Sequence, residues 1–268
     1  MRNNNKWGFG DRMILHIPHS STVIPKKHLP LFHMNQAELQ AELLRVTDLH
    51  TDTLFCTPAI PEENRIIFPF SRLICDVERF RDDSLEPMAA KGMGVCYTST
   101  TSLTSLKTVT EDHRQEMLKL YDRHHADLTN TSSRILRKHG WALIIDCHSF
   151  PSVRLAYEGA ESRQSSLRPD ICIGTDSGFH TPVWLTDYMI SAFEIRGYSV
   201  RLNEPFEGTM VPMKYYHRDR RLLSIMIEVN RRLYMDEKTG GRLECFPAIQ
   251  SDIEAVIMKL IEEAEIWR

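Results

Sequence analysis

Short apolar runs alternate with longer amphipathic stretches along the chain. Runs of strand length, bounded by Gly, Pro or polar residues, occur at residues 13–17, 65–68, 71–76, 142–145, 170–174, 198–202 and 222–229. Apolar residues at helical spacing occur at residues 35–44, 110–138, 181–195 and from Pro247 onward. Strands that alternate with helices predict one α/β domain built on a mixed, mostly parallel sheet flanked by helices.

The remaining segments predict a tail and loops. Residues 1–12 are polar, so we expect a tail there, followed by a single domain over residues 13–268. Residues 81–110 show weak periodicity and many small residues, which indicates a long loop. One interpretation extends the helix at residues 35–44 through residue 54.

The composition excludes several classes of protein. The chain has 268 residues, 42% of them hydrophobic and 26% charged, which is ordinary for a globular protein. A net charge of -3 gives no reason to expect nucleic acid or an anionic membrane as partner. No apolar run approaches the roughly 20 residues that a membrane span needs, and the polar N-terminus lacks the apolar core of a signal peptide. The six cysteines form no CxxC pair, so we expect a cytoplasmic protein with reduced thiols and no zinc ribbon.

A carboxylate and an imidazole follow the apolar run at residues 142–145. Asp146 and His148 are two residues apart, so in a strand both side chains point to the same side. The carboxyl edge of an open α/β sheet is where ligands bind, and one of the two could ligate a metal while the other orients it. The alternative is an ordinary strand end whose polar residues face water. Ser149 raises the idea of a serine nucleophile, but no G-x-S-x-G elbow surrounds it.

His19 follows the first apolar run in the same way. If the two strands are parallel neighbours, His19 and His148 meet at one edge of the sheet. Imidazole is a common zinc ligand, and a catalytic zinc takes three protein ligands plus water. Asp48 is the first candidate for the third ligand, with Asp52 and Asp76 behind it. The alternative is that each histidine is a surface or packing residue.

Glu228 interrupts the longest apolar run, residues 222–229. A glutamate inside a core strand costs free energy unless it is paired or neutral. Burial would raise its pKa, which suits a general base that acts on water. The alternative is a structural ion pair with Arg231 or Arg232.

Arg72 and Arg79 frame the run at residues 71–76. The planar guanidinium grips a carboxylate with two hydrogen bonds, so these side chains predict a substrate with a free carboxylate. A salt bridge to Asp76 or Glu78 is the alternative for at least one of them.

Six segments between about residues 13 and 236 carry these features in a characteristic order. They are Ile17-Pro-His-Ser-Ser21, Thr47-Asp-Leu-His-Thr-Asp52, Ser71-Arg-Leu-Ile-Cys-Asp-Val-Glu-Arg79, Asp146-Cys-His-Ser149, Phe206-Glu-Gly208 and Ile227-Glu-Val-Asn-Arg-Arg-Leu-Tyr-Met-Asp236. The order resembles that of the N-formylglutamate amidohydrolase family, which is similar to the zinc carboxypeptidases and the aspartoacylase group. The resemblance implies a phosphorylase/hydrolase-like three-layer α/β fold, a single zinc ion and hydrolysis of an amide on an amino-acid-like substrate.

The resemblance also implies roles for individual residues. His19, His148 and Asp48 would bind the zinc ion, and Glu228 would be the general base. Arg79, with Arg72 beside it, would bind a carboxylate of the substrate.

Two departures from the family pattern concern this site. In the zinc carboxypeptidase relatives the strand-end histidine is followed three residues later by a glutamate ligand, whereas Thr22 stands at that offset from His19. The family's Asp-x-Asn-Arg segment is Asp76-Val-Glu-Arg79 here. Glu78 therefore adds negative charge where an acidic substrate would sit.

We therefore expect a zinc-dependent amidohydrolase that cleaves the amide of N-formyl-L-glutamate or a similar N-acyl amino acid. Its partner would be a small-molecule substrate with a free carboxylate. Two alternatives stay open. One is a zinc peptidase or deacylase that acts on another carboxylate-bearing substrate, and the other is a non-enzymatic binding module that keeps the fold. The sequence does not indicate the oligomeric state.

Overall fold

A six-stranded sheet runs through the computed structural model, which describes residues 10–159, 168–176 and 178–263. The strands are β1 (Met13–Ile17), β2 (Arg65–Ile67), β3 (Ala142–Phe150), β4 (Ile171–Gly174), β5 (Val200–Leu202) and β6 (Leu222–Asn230). The helices are α1 (Gln36–Val46), α2 (Thr51–Leu54), α3 (Glu111–His139), α4 (Val183–Glu194) and α5 (Phe246–Glu263).

The sheet is mixed and mostly parallel, as the sequence predicts. Its strand order is β2-β1-β3-β6-β4-β5, and only the pair of β4 and β6 is antiparallel. Helices α4 and α5 cover one face, where Leu15 and Ile145 are buried. Helix α3 covers the other face, where Ile14 and Ile144 are buried. Strands β1, β3, β4 and β6 are buried along their whole length and are rich in apolar residues, as is usual for a parallel sheet between helices. The edge strands β2 and β5 are partly exposed.

The central strand β3 is longer than its apolar run indicates. We expected it to end at Asp146, but it continues through His148 to Phe150, and every residue in it is buried. The neighbouring strand β6 supplies the reason, because it pairs with β3 without a break up to the pair of Phe150 and Asn230. Polar side chains are tolerated in the interior of this strand because each finds a polar partner.

The prediction of a strand at residues 71–76 is wrong. The segment is a series of turns in which the Ile74 N–H donates to the carbonyl of Ser71 at 2.8 Å. Its apolar residues are buried under a loop rather than in the sheet. The buried ammonium of Lys107 donates to the carbonyls of Leu73 and Ile74, so the backbone needs no strand partner there.

Three further predictions concern segment boundaries. Helix α1 ends at Val46, and the left-handed backbone of His50 (φ 69°) separates it from α2, so the helix does not run through to residue 54. The long loop at residues 81–110 is confirmed, with one 3-10 helix at Pro87–Lys91. Of the predicted tail, residues 1–9 lie outside the described residues, and Gly10–Arg12 form a 3-10 helix. None of the described helices is long and apolar enough to cross a membrane.

Candidate active site

The carboxyl ends of β1, β3 and β6 open into a cleft of about 820 Å³. All six site residues predicted from the sequence line this cleft: His19, Asp48, Arg72, Arg79, His148 and Glu228. The parallel pairing of β1 with β3, and of β3 with β6, brings the three strand ends to one edge. The cleft therefore lies where an open α/β sheet places its ligands.

His148 and Glu228 face the cleft side by side. They are direct partners in the register of β3 and β6, so their side chains stand on the same face of the sheet. Burial alone would lower the pKa of His148, but the negative charges of Glu78 and Asp146 outweigh it and hold the pKa well above its usual value. A positive charge is therefore favoured at this point of the cleft.

His19 stands next to His148, with the two ring centroids 5.2 Å apart. Its Nε2 lies 2.8 Å from Oδ1 of Asp76, which fixes the ring. Its Nδ1 is buried and has no hydrogen-bond partner in the part of the chain that the structure describes. An imidazole that is held by a carboxylate on one nitrogen and is open on the other is the usual arrangement of a metal-binding histidine.

Asp48 reaches the same point from the connection between α1 and α2. Its Oδ2 is 3.2 Å from Nδ1 of His148 and 3.8 Å from Nδ1 of His19. Its Oδ1 accepts a hydrogen bond from Nη2 of the buried Arg231 at 2.9 Å. Burial would raise the pKa of Asp48, but the hydrogen bond to His148, the nearby imidazole of His19 and the charge of Arg231 hold the pKa well below its usual range. Asp48 is therefore an anion that faces both imidazoles.

Glu78 is a second carboxylate at this point, and we did not predict it as a ligand. Its Oε2 lies 3.0 Å from Nε2 of His148 and 3.8 Å from Nδ1 of His19. His19, Glu78 and His148 each offer a ligand atom, and these atoms all lie within 4.8 Å of one another. The pattern of apolar residues gave no signal for Glu78, because it lies in a loop and enters the cleft through tertiary structure alone.

These residues fit a zinc ion. Imidazole nitrogen and carboxylate oxygen are zinc ligands, and the buried Nδ1 of His19 has no other partner. His19, Glu78 and His148 supply two imidazoles and a carboxylate whose ligand atoms lie within 4.8 Å of one another. Asp48 offers a further carboxylate on the Nδ1 side of His148.

Glu228 is buried and free of the ion pairs that were the alternative for it. Arg231 binds Asp48, and Arg232 pairs with Asp170 at 2.6 Å. Within residues 10–159, 168–176 and 178–263, Oε2 of Glu228 has no hydrogen-bond partner. Burial raises the pKa of Glu228 to about 8. A carboxyl group with this pKa can both take up and release a proton near neutral pH.

The two predicted arginines converge on Asp76. Arg72 donates to Oδ2 of Asp76 through Nη2 at 2.7 Å and through Nε at 3.1 Å, so the alternative of a salt bridge holds for Arg72. Nε of Arg79 is 3.6 Å from the same oxygen, and the hydroxyl of Tyr97 donates to it at 2.7 Å. Burial would raise the pKa of Asp76, but the charges of Arg72 and Arg79 outweigh it and hold the pKa well below its usual range.

A second polar chain lies behind His148. Oδ1 of Asp146 lies 3.1 Å from Nε2 of His148 and 2.7 Å from Nδ1 of His16. Nε2 of His16 is 2.8 Å from Nε2 of His124 on α3. The sequence pointed to Asp146 as the residue that orients His148, but it gave no role to His16 or His124.

Two weaker candidates lie apart from this chemistry. Asp52 is exposed, and its carboxylate accepts a hydrogen bond from the N–H of Thr53. The hydroxyl of Ser149 accepts a hydrogen bond from Nε of Arg231 at 3.2 Å, and within the described residues no imidazole bonds to it. The arrangement of a serine nucleophile with a histidine base is therefore absent from this part of the chain.

Comparisons with known proteins give a consistent result. The family model described as N-formylglutamate amidohydrolase matches residues 11–235. An N-formylglutamate amidohydrolase from Ralstonia eutropha JMP134 has a similar solved structure, with a TM-score of 0.82, 22% identity, and coverage of 96% of this chain and 95% of that chain. A gene product from Agrobacterium tumefaciens has a TM-score of 0.64, 20% identity, and coverage of 98% and 95%. At these identities the two structures show the shared fold alone. No curated protein matches the chain.

Proposed function

The chain belongs to the N-formylglutamate amidohydrolase family, and on this basis we propose that it is a zinc-dependent amidohydrolase. Its substrate is an N-acyl amino acid with a free carboxylate, and N-formyl-L-glutamate is the first compound to test. Water cleaves the amide, so N-formyl-L-glutamate gives formate and glutamate. All six cysteines are unpaired, which supports a cytoplasmic enzyme with reduced thiols.

One observation carries the proposal. The Nδ1 of His19 is buried without a hydrogen bond to any described residue, and it faces Asp48 and His148 at the edge of the sheet. We assign His19, Asp48 and His148 as the zinc ligands. A zinc ion bound there would act as a Lewis acid toward the amide carbonyl and would lower the pKa of water.

Glu228 supplies the proton transfers. Its carboxylate takes a proton from the water that attacks the amide carbon, and it then delivers this proton to the leaving nitrogen as the C–N bond breaks. The pKa of about 8 suits both roles, because the group changes its protonation state close to neutral pH. Its Oε2 has no hydrogen-bond partner among the described residues, and Glu228 lines the cleft.

Arg79 binds the carboxylate of the substrate, with Arg72 beside it. Asp76 holds both guanidinium groups and also contacts His19. Asp76 therefore positions both the arginines that bind the substrate carboxylate and His19, a proposed zinc ligand. This sharing fixes the distance between the bound carboxylate and the scissile amide, which is a requirement for a well-placed reacting bond.

A different zinc deacylase or peptidase is the second candidate. The cleft of about 820 Å³ offers far more space than a formyl group needs. Glu78 also places a negative charge beside the proposed zinc ligands. A panel of N-formyl, N-acetyl and longer N-acyl amino acids, with and without a second carboxylate, separates these candidates.

Elemental analysis of the purified protein tests the proposal. We expect at least one zinc ion per chain in the wild type and a loss of zinc from the site in His148→Ala. His113→Ala, on the first turn of α3, is the matched control and should keep its zinc. Absence of metal from the wild type even after zinc is supplied would contradict the mechanism and favour a binding module that keeps the fold.

A further inference from the structure

A second group of ligand-type side chains adjoins the first. His16, Glu78 and Asp146 each offer a ligand atom, and these atoms lie within 4.8 Å of one another. His16 and Asp146 are buried on the neighbouring strands β1 and β3, where they are direct register partners. This group shares Glu78 with the cluster of His19 and His148.

The two oxygens of Glu78 face different groups. Oε2 contacts Nε2 of His148 at 3.0 Å and Nδ1 of His19 at 3.8 Å, whereas Oε1 contacts Nδ1 of His16 at 3.6 Å. Among the described residues no hydrogen bond of acceptable geometry ends on this carboxylate. Three imidazole nitrogens thus surround one carboxylate, and the nearest of them forms an ion pair with it at 3.0 Å. Ligands around a shared cation would have this arrangement.

His16 and Asp146 are both held for such a role. Nε2 of His16 is 2.8 Å from Nε2 of His124, so one of the two nitrogens carries the shared proton. When His16 donates this proton, its Nδ1 lone pair faces Oδ1 of Asp146 at 2.7 Å and is available to a cation. The other oxygen of Asp146 accepts a hydrogen bond from the N–H of Met210 at 2.8 Å, which fixes the carboxylate.

We propose that the cleft holds two divalent cations, the second bound by His16, Glu78 and Asp146, with Glu78 as the bridging ligand. The proposal rests on the first zinc site described under the proposed function. Nitrogen and oxygen donors suit zinc, manganese or cobalt ions. Two such ions bridged by a carboxylate would lie roughly 3.5–4 Å apart, as in other two-metal sites.

Glu78 provides the decisive variant. Glu78→Asn introduces the residue of the family's Asp-x-Asn-Arg pattern at a position that retains some exposure, so the chain should fold. The first site keeps its three ligands His19, Asp48 and His148, and the second loses its bridge. Glu207→Asn is the matched control, because it removes the same charge from an exposed side chain of the same cleft.

The first measurement is the metal content after reconstitution with zinc. We expect two ions per chain in the wild type and in Glu207→Asn, but one in Glu78→Asn and in His16→Asn. One ion per chain in all four proteins would overturn the second site and leave the proposed function standing. No ion in the wild type would overturn both. Retention of both ions, or of neither, in Glu78→Asn would overturn the bridging role.

Electron paramagnetic resonance of the manganese-loaded protein gives an independent readout. Two manganese ions joined by Glu78 should give a spin-coupled spectrum in the wild type. Glu78→Asn should give the six-line spectrum of an isolated ion. An isolated-ion spectrum in the fully loaded wild type would contradict the proposal, and circular dichroism checks that each variant is folded.

Discussion

Two regions meet in the cleft, and they are built in different ways. The strand edge contributes Asp146, His148 and Glu228, whose positions follow from the register of β3 and β6. The turn segment at residues 71–79 contributes Asp76 and Arg79, which are positioned by bonds between charged side chains. Backbone ladders tolerate a changed side chain, whereas a side-chain network does not. We therefore expect substitutions at the strand edge to affect chemistry, and substitutions in the turn segment to affect stability as well.

The largest effect should follow from Glu228→Gln at the strand edge. Glutamine has nearly the same shape but cannot transfer the proton, so kcat should fall by about 10²–10⁴-fold. Stability should not fall, because burial of Glu228 raises its pKa and therefore disfavours the ionised form. Steady-state kinetics, elemental analysis and thermal unfolding measure these quantities. A kcat within tenfold of the wild type, with metal content unchanged, would remove Glu228 from the mechanism.

Asp76→Asn, in the turn segment, should lower the stability of the fold as well as the activity. The carboxylate is fully buried and binds Arg72, Tyr97 and His19, so its loss leaves buried charges without a partner. Breaking such a buried pair costs roughly 3–5 kcal/mol, which corresponds to a fall in Tm of about 10 °C for a chain of this size.

Asp52→Asn is the control for that variant, because Asp52 is exposed on the short helix α2. Its Tm should stay within about 1 °C of the wild type, in line with ordinary surface substitutions. If Asp76→Asn unfolds at the same temperature as Asp52→Asn, the turn segment does not depend on its charge network.

The same contrast explains how far the sequence predicts the molecule. The apolar runs predicted the sheet and its long flanking helices, because burial on both faces leaves a continuous hydrophobic signal. They also drew attention to His148 and Glu228, which interrupt or follow such runs and which line the cleft. His19 follows from the same reasoning at the end of β1.

The turn segment was harder to predict for a physical reason. Its residues Leu73, Ile74 and Cys75 are as buried as those of a strand, so the pattern alone predicts a strand there. The chain turns instead because the ammonium of Lys107, more than thirty residues away, binds two of its carbonyls. Contacts of this range leave no local signal, so the position of Glu78 and the bonds of Asp76 to His19 and Tyr97 were not predicted. The pairing of Asp76 with Arg72 was one of the alternatives, because the two residues are close in sequence.

Arg79→Gln probes the function of the turn segment. Loss of a charge-assisted hydrogen-bond pair should raise KM for a carboxylate-bearing substrate by about 10–100-fold, because such bonds contribute roughly 1.5–3 kcal/mol. The rise should vanish for the corresponding amidated substrate, which has no carboxylate to bind. Arg81→Gln is the control, because Arg81 is an exposed residue of the same cleft that pairs with Asp122. An equal loss for both substrates would mean that Arg79 serves the fold rather than the substrate.

The smallest effect concerns Lys107 and the pH dependence of stability. Burial lowers the pKa of Lys107 to about 8, whereas an unfolded lysine titrates near 10.5. Between these values the unfolded chain holds a proton that the folded chain has released, so this residue makes stability rise with pH by at most about 1.4 kcal/mol per unit. Below pH 8 both states are protonated, and the cost of the buried charge is constant.

Lys107→Met should remove this rise while filling nearly the same volume. Urea unfolding at pH 8 and pH 9.5 gives the change in the free energy of unfolding over this interval. This change should be roughly 1–2 kcal/mol less favourable in the variant than in the wild type. Titration of buried tyrosines also contributes above pH 8, but equally in both proteins. The thiols of Cys75 and Cys96 interact with the charge of Lys107, so their response is part of the measured difference. Lys27→Met, which removes an exposed ammonium paired with Glu116, should follow the wild type. Parallel curves for all three proteins would mean that water reaches the Lys107 ammonium, and that the turn segment is held by hydrogen bonds without a buried charge.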